Sequence, residues 1–171
     1  MNKCVCGCVV VLLALATTAS AQLVAGSPED ALFQQITAAS SPADKIRLAN
    51  QFADEFADAP PNVMASVYTV LMNAHEQQQE PRLALEYGER VIDLDPDNVN
   101  AYMALCRYLS VNLVENLDQA VEYGERALSL AEALGEQEPP ANYTPEGWAA
   151  YTTQTEDYAR SILSYARTIR E

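Results

Sequence analysis

The chain has 171 residues and a net charge of −14, from 24 acidic and ten basic side chains. Such a surface excludes a role built on neutralising nucleic-acid phosphate or anionic lipid, because both need clustered Lys and Arg. The hydrophobic share of 49% is enough for a packed core, and the acidic shell itself serves solubility.

The first 21 residues read as a secretory signal: Lys3 supplies the positive start, Val9 to Ala16 the apolar stretch, and Ala19-Ser20-Ala21 a small-residue cleavage site before Gln22. That stretch is far short of the roughly 20 apolar residues a bilayer span requires, so the chain is expected to be exported, to the periplasm or beyond the cell. Cys4-Val5-Cys6-Gly7-Cys8 has the look of a metal or redox motif, yet all three thiols lie in the segment to be removed. A lipoprotein signal would need its cysteine after the apolar stretch. Cleavage leaves Cys106 alone and takes the charge to −15 with the loss of Lys3. No internal disulfide can form, and Cys106 is expected to act as a small buried hydrophobe.

After a short linker, 22–27, a helical domain is expected over 28–171. Ser27-Pro28-Glu29, Ser41-Pro42-Ala43-Asp44 and Thr144-Pro145-Glu146 each join a capping hydroxyl, a proline at the first helical position and an acid near the positive helix end. Apolar residues recurring at three and four place helices near 28–39, 43–58, 62–78, 81–94, 98–111, 116–134 and 145–169. Pro60-Pro61, Pro81 and Asp95-Pro96-Asp97-Asn98 punctuate them. No stretch alternates long enough for a strand.

Within this pattern one phrase occurs twice. Ala84-Leu-Glu-Tyr-Gly-Glu-Arg returns 36 residues later as Ala120-Val-Glu-Tyr-Gly-Glu-Arg, with the apolar positions in phase. Self-similarity at such a period marks stacked supersecondary units, none able to bury its apolar face alone. Glu86, Glu89, Glu122 and Glu125, with Arg90 and Arg126, are expected on a solvated face carrying helix-spaced ion pairs.

These residues resemble the tetratricopeptide repeat, a helix–turn–helix unit of about 34 residues. Tyr68, Leu71 and Met72, then Ala84, Val91 and Pro96, match one unit over 62–97. Tyr102, Leu105, Cys106 and Leu109, then Ala120, Ala127 and Leu130, match a second over 98–134, with two extra residues in its turn. Residues 28–61 fit as a degenerate unit, and the helix at 145–169 is either a terminal cap or the first helix of a further unit. Gly88 and Gly124 stand where the family has a bulky side chain, through close backbone approach or through plain duplication.

The resemblance implies an all-α, right-handed solenoid of about seven helices in antiparallel pairs. It also implies a non-catalytic scaffold of a bacterial cell envelope that binds a protein or peptide segment along its concave surface. Carried over by position, that surface holds Thr69, Asn73, Glu76, Met103 and Arg107, with Asn73 and Arg107 suited to a peptide backbone or carboxylate. The lysines of the family's carboxylate clamp are missing. The alternative is a structural subunit or homo-oligomer that packs through its last helix, with Trp148, Tyr151 and Tyr158 as the assembly face.

Catalytic chemistry has no candidate. Asp93-x-Asp95-x-Asp97 opens like a calcium loop, but Asn98 and Ala104 stand where glycine and glutamate are needed, which leaves a turn and a cap. His75 is the only histidine and has no motif around it, so a structural role is expected. Phosphate loops, nucleophile elbows and Cys-x-x-Cys pairs are missing. Neither a metal nor a cofactor is expected.

Overall fold

The computed structural model describes residues 23–171, so the signal segment and its three cysteines lie outside the described residues. The elements are α1 Pro28–Ala38, α2 Pro42–Glu55, α3 Pro61–Gln77, α4 Pro81–Leu94, α5 Val99–Arg107, α6 Leu117–Gly135 and α7 Pro145–Arg170. Among the described residues there is no strand. Each helix packs on the next along the chain, the arrangement of a solenoid of helical hairpins. No helix of the described residues is long and apolar enough to cross a membrane.

The three expected caps form. Ser27, Ser41 and Thr144 accept hydrogen bonds from the N–H groups of Asp30 (3.2 Å), Asp44 (3.0 Å) and Gly147 (3.1 Å), each with proline following at the first helical position. Such caps contribute about 1 kcal/mol apiece. Asn98 caps α5 through Ala101 N–H at 3.0 Å and its amide donates to Asp95 at 2.9 Å. The Asp93–Asn98 segment is therefore a capped turn.

Two expected helix ends move. α2 stops at Glu55 and not near 58, because Phe56 leaves the helical region at φ −126° and ψ 45° with its ring against Phe52. α5 stops at Arg107 and not near 111; the chain widens into a π-helical segment, Tyr108–Leu113. Here the two residues in excess of a 34-residue unit are absorbed. Val114 and Asn116 then sit in the left-handed region, at φ 52° and 49°. For the β-branched Val114 this costs about 1–2 kcal/mol. Glu115, between them, is held by a bidentate pair with Arg82 at 2.8 Å on both oxygens.

The core is a run of clusters along the stack. Leu32, Ile36, Phe52, Val67 and Leu71 join α1 to α3; Met72, Ala84 and Tyr108 bridge the middle; Cys106, Leu109, Ala127, Leu163 and Ala166 join α5 to α7. The two glycines of the repeated phrase sit at the seams. A Cβ on Gly88 would lie 2.8 Å from Leu105 Cδ2 and 3.2 Å from Met72 Sδ. On Gly124 it would lie 3.1 Å from Cys106 Sγ and 3.1 Å from Leu163 Cδ1. Each glycine thus faces the first helix of its own hairpin and the helix that follows its hairpin. Close approach is the physical reason for glycine at both positions, and α7 takes the place of a third first helix.

The repeated charges depart from expectation. Glu86 pairs with Arg90 at i,i+4 (2.6 Å), but Arg126 does not pair with Glu122. It reaches back to Asp97 at 2.9 Å and the Pro96 carbonyl, while Glu125 binds Arg167 of α7 at 2.8 Å. Tyr123 donates to Glu89 of the preceding hairpin at 3.2 Å, and Tyr87 donates to Asn50 at 3.3 Å. Burial and the neighbouring Glu89 carboxylate both push the Tyr123 phenol well above its ordinary value. The phrase therefore bolts hairpin to hairpin and is not merely a solvated face.

Gly124→Ala is expected to destabilise the chain by about 1 kcal/mol, since crowding at the rigid Leu163 Cβ (3.2 Å) outweighs the helix-propensity gain of alanine. Gly135→Ala, with nothing within 4 Å, should instead be neutral or stabilising. Urea unfolding of the two variants reads the difference in sign.

Candidate functional site

α3 and α5 are the first helices of neighbouring hairpins. On α3, Thr69, Asn73 and Glu76 share one stripe at i, i+4 and i+7, and on α5 Met103 and Arg107 do so at i and i+4. All five line one depression of about 370 Å³, with Asn98 and Asn100 on one side and Tyr158 of α7 on the other. It continues in both directions. Thr69 and Asn98 also line a hollow of about 370 Å³ toward the start of α3, and Glu76 lines another of the same size toward its end, with Tyr108 and Asn112. Together they form a trough along α3.

Its residues play different parts. Met103 is buried and forms the floor. Thr69 turns its hydroxyl onto the Ala65 carbonyl at 2.8 Å. Asn73 and Asn100 are exposed along the trough. Arg107 is not free: its guanidinium meets Glu76 at 2.8 Å and lies 4.9 Å from the Tyr108 ring centre. Tyr108 donates to the same carboxylate at 2.7 Å. Burial works to lower the Arg107 pKa, and the Glu76 carboxylate outweighs it, so the group stays above its ordinary value and charged. Tyr108 is raised by burial and by Glu76, and remains neutral.

Sequence reasoning missed Asn100 and the part played by Tyr158. Asn100 could have been found, since it lies three residues before Met103 on the same stripe. Tyr158 could not, because only the stacking of α7 brings it to the trough.

The other two aromatics grouped with Tyr158 lie elsewhere. Trp148 is buried, donates its indole N–H to the Gln137 carbonyl at 3.1 Å, and packs with Tyr143 and Tyr151 at ring separations of 5.3 and 5.5 Å. This cluster clasps the proline-bearing loop between α6 and α7 onto the start of α7. The three residues do not form one outward face.

The remaining candidates are structural. His75 is buried, stacked on Tyr87 at 5.3 Å, with Nδ1 2.7 Å from Glu80. Burial pushes the Cys106 thiol up to about 11, so it stays protonated. A larger hollow, about 870 Å³, is a wedge between the start of α1 and the α2–α3 turn, lined by Glu29, Asp54, Glu55 and Asp58 without a basic group. It shares no lining residue with the trough. Among the described residues no group of His, Cys, Asp and Glu is placed to hold a metal ion.

No family model matches this chain, and no curated protein matches it. A solved structure titled MamA MSR-1 C2 is similar to it, with a TM-score of 0.45 and 21% identity, covering 81% of this chain and 72% of that one.

Trp148→Ala is expected to cost about 3 kcal/mol, as for truncation of a buried aromatic, and to open residues 136–144 to proteolysis. Limited digestion with mapping of the first cut, beside a denaturation curve, checks both effects.

Proposed function

We propose that the chain is a non-catalytic protein-interaction scaffold of a bacterial cell envelope, which holds an extended peptide segment of a partner protein in the trough between α3 and α5. The observation that carries this reading is the convergence of the stripes of α3 and α5 on one continuous trough edged by the exposed amides of Asn73 and Asn100. A side-chain amide offers both donor and acceptor, so it can pair with a peptide main chain whatever the side chains are. From Asn62 to Gln77 α3 rises about 23 Å, room for roughly seven residues of extended chain.

The signal-like residues 1–21 support export, and the acidic surface supports a protein partner over nucleic acid. Reactive-group constellations are lacking among the trough residues, which supports a binding role.

A second reading rests on α7, where Tyr158 and Tyr165 are exposed seven residues apart on one stripe. A second copy or an assembly partner could pack there. If so, Tyr165→Ser shifts the oligomeric state seen by light scattering; an unchanged monomer counts against it.

For the scaffold, purified protein is used to select from a random octapeptide library displayed on phage, and binding of the synthesised winners is measured by calorimetry. Asn73→Ala is expected to weaken binding about tenfold, the loss of one or two hydrogen bonds, with the melting temperature unchanged. Failure to select any peptide, or winners indifferent to Asn73 and Asn100, overturns the reading.

A further inference from the structure

The Glu76 and Arg107 pair decides what kind of peptide the trough can take. A guanidinium in a peptide-binding groove ordinarily offers a docking point for a ligand carboxylate, by charge-assisted and often paired hydrogen bonds. Here Glu76 already holds that guanidinium at 2.8 Å from the facing helix, and Tyr108 fixes the carboxylate from behind at 2.7 Å. The pair is partly withdrawn from water, with side-chain exposures of 25% for Arg107 and 39% for Glu76. Nothing nearby replaces the lost cation. Every arginine of the described residues is engaged with a carboxylate, and no other basic residue lines the trough. Asp95 adds a further carboxylate at one end.

From this we infer that Glu76 is a built-in stand-in for a ligand carboxylate: it occupies Arg107 and sets the trough to select uncharged or basic peptide segments against acidic ones and against free chain termini. Glu76 is thus a specificity-determining residue of the proposed site, and the inference rests on the peptide-binding reading above. An entering carboxylate must either displace Glu76, leaving that charge beside Tyr108 without its cation, or lie unpaired next to it. Either way like charges meet in a half-buried place. A lysine or arginine of the partner meets the opposite situation, since the surrounding field is strongly negative and Asp95 is at hand.

The test uses the selected octapeptides in four forms: the parent with an amidated C-terminus, the same with a free C-terminal carboxylate, and versions with one central lysine or glutamate. The wild type is expected to bind the amidated parent and the lysine form at least about tenfold more tightly than the glutamate and free-acid forms, a gap that narrows in high salt. Glu76→Gln keeps the shape and an acceptor for Tyr108 while releasing Arg107. It should raise affinity for the two carboxylate forms about tenfold and leave the amidated parent nearly unchanged. Adding Arg107→Gln should abolish that gain.

If the wild type binds the carboxylate forms as well as the amidated parent, or if Glu76→Gln brings them no gain, the inference falls while the scaffold reading stands. If none of the peptides binds, the scaffold reading falls with it. The wild-type comparison decides the matter even if Glu76→Gln proves unstable.

Discussion

The structure depends on how closely a second helix can settle between two first helices. At Gly88 and Gly124 the missing side chain lets α4 and α6 approach the helices on either side, and Leu105, Met72, Cys106 and Leu163 fill the space a Cβ would need. Mid-helix glycine costs about 1 kcal/mol relative to alanine, so the close approach must return at least that in buried area. Once this spacing is set, the rest of each hairpin boundary falls into reach. The phenol of Tyr123 can span to Glu89, and Arg126 to Asp97. The trough on the opposite side inherits its width from the same seam, because α3 and α5 are the helices that the glycine of α4 holds together.

Much of this was legible in the sequence, and the limits have physical causes. Helix starts were readable because a Ser or Thr followed by proline and an acid is a local signal, complete within four residues. The doubled Tyr-Gly-Glu-Arg phrase revealed the stacking period, and the phase of its glycine pointed to close packing. Less legible were features set by the neighbour in space. The sequence pairs Glu122 with Arg126 by spacing, whereas the turn before α5 presents Asp97 to Arg126 instead. The π-helical segment was invisible, since its apolar pattern continues that of α5; only the two surplus residues hinted that the backbone must widen. Within the trough, the five residues chosen by position do meet, but their partnerships were not foreseen. Arg107 looked free because Glu76 lies 31 positions away, on another helix.

Charge is distributed with the same economy. The chain is strongly acidic overall, yet its cations are not scattered over the surface as isolated points. Several of them tie one element to another: Arg82 fastens the strained segment around Val114, Arg126 the turn before α5, and Arg167 the last helix to α6. Exposed pairs of this kind contribute little individually. Their larger effect is on register, because a hairpin shifted along its neighbour would lose several at once. A consequence is that, among the described residues, the outer surface keeps an excess of unpaired carboxylates and every arginine is paired.

The last helix shows two characters along its length. From Ala159 to Ala166 its inner face is small and aliphatic, with Ile162 and Leu163 entering the core beside Cys106 and Gly124. Nearer its start the buried positions beyond Trp148 are Thr152 and Thr155, whose hydroxyls turn back onto the carbonyls of Ala149 and Tyr151. That half satisfies its polar atoms within its own backbone and is held by the Trp148 clasp on the α6–α7 loop. Its outer stripe carries Gln154, Ser161, Ser164 and Thr168, all exposed. The aliphatic contact that α5 makes with the preceding hairpin, Leu105 against Gly88, is made on α7 by Leu163 against Gly124, on the inner face. α7 therefore buries α6 without leaving an aliphatic face of its own, and the exposed phenols of Tyr158 and Tyr165 tolerate water at one end while offering a ring to whatever lies alongside. Tyr158 does this at the edge of the trough, so the helix that packs against α6 also supplies the aromatic wall of the surface proposed to bind.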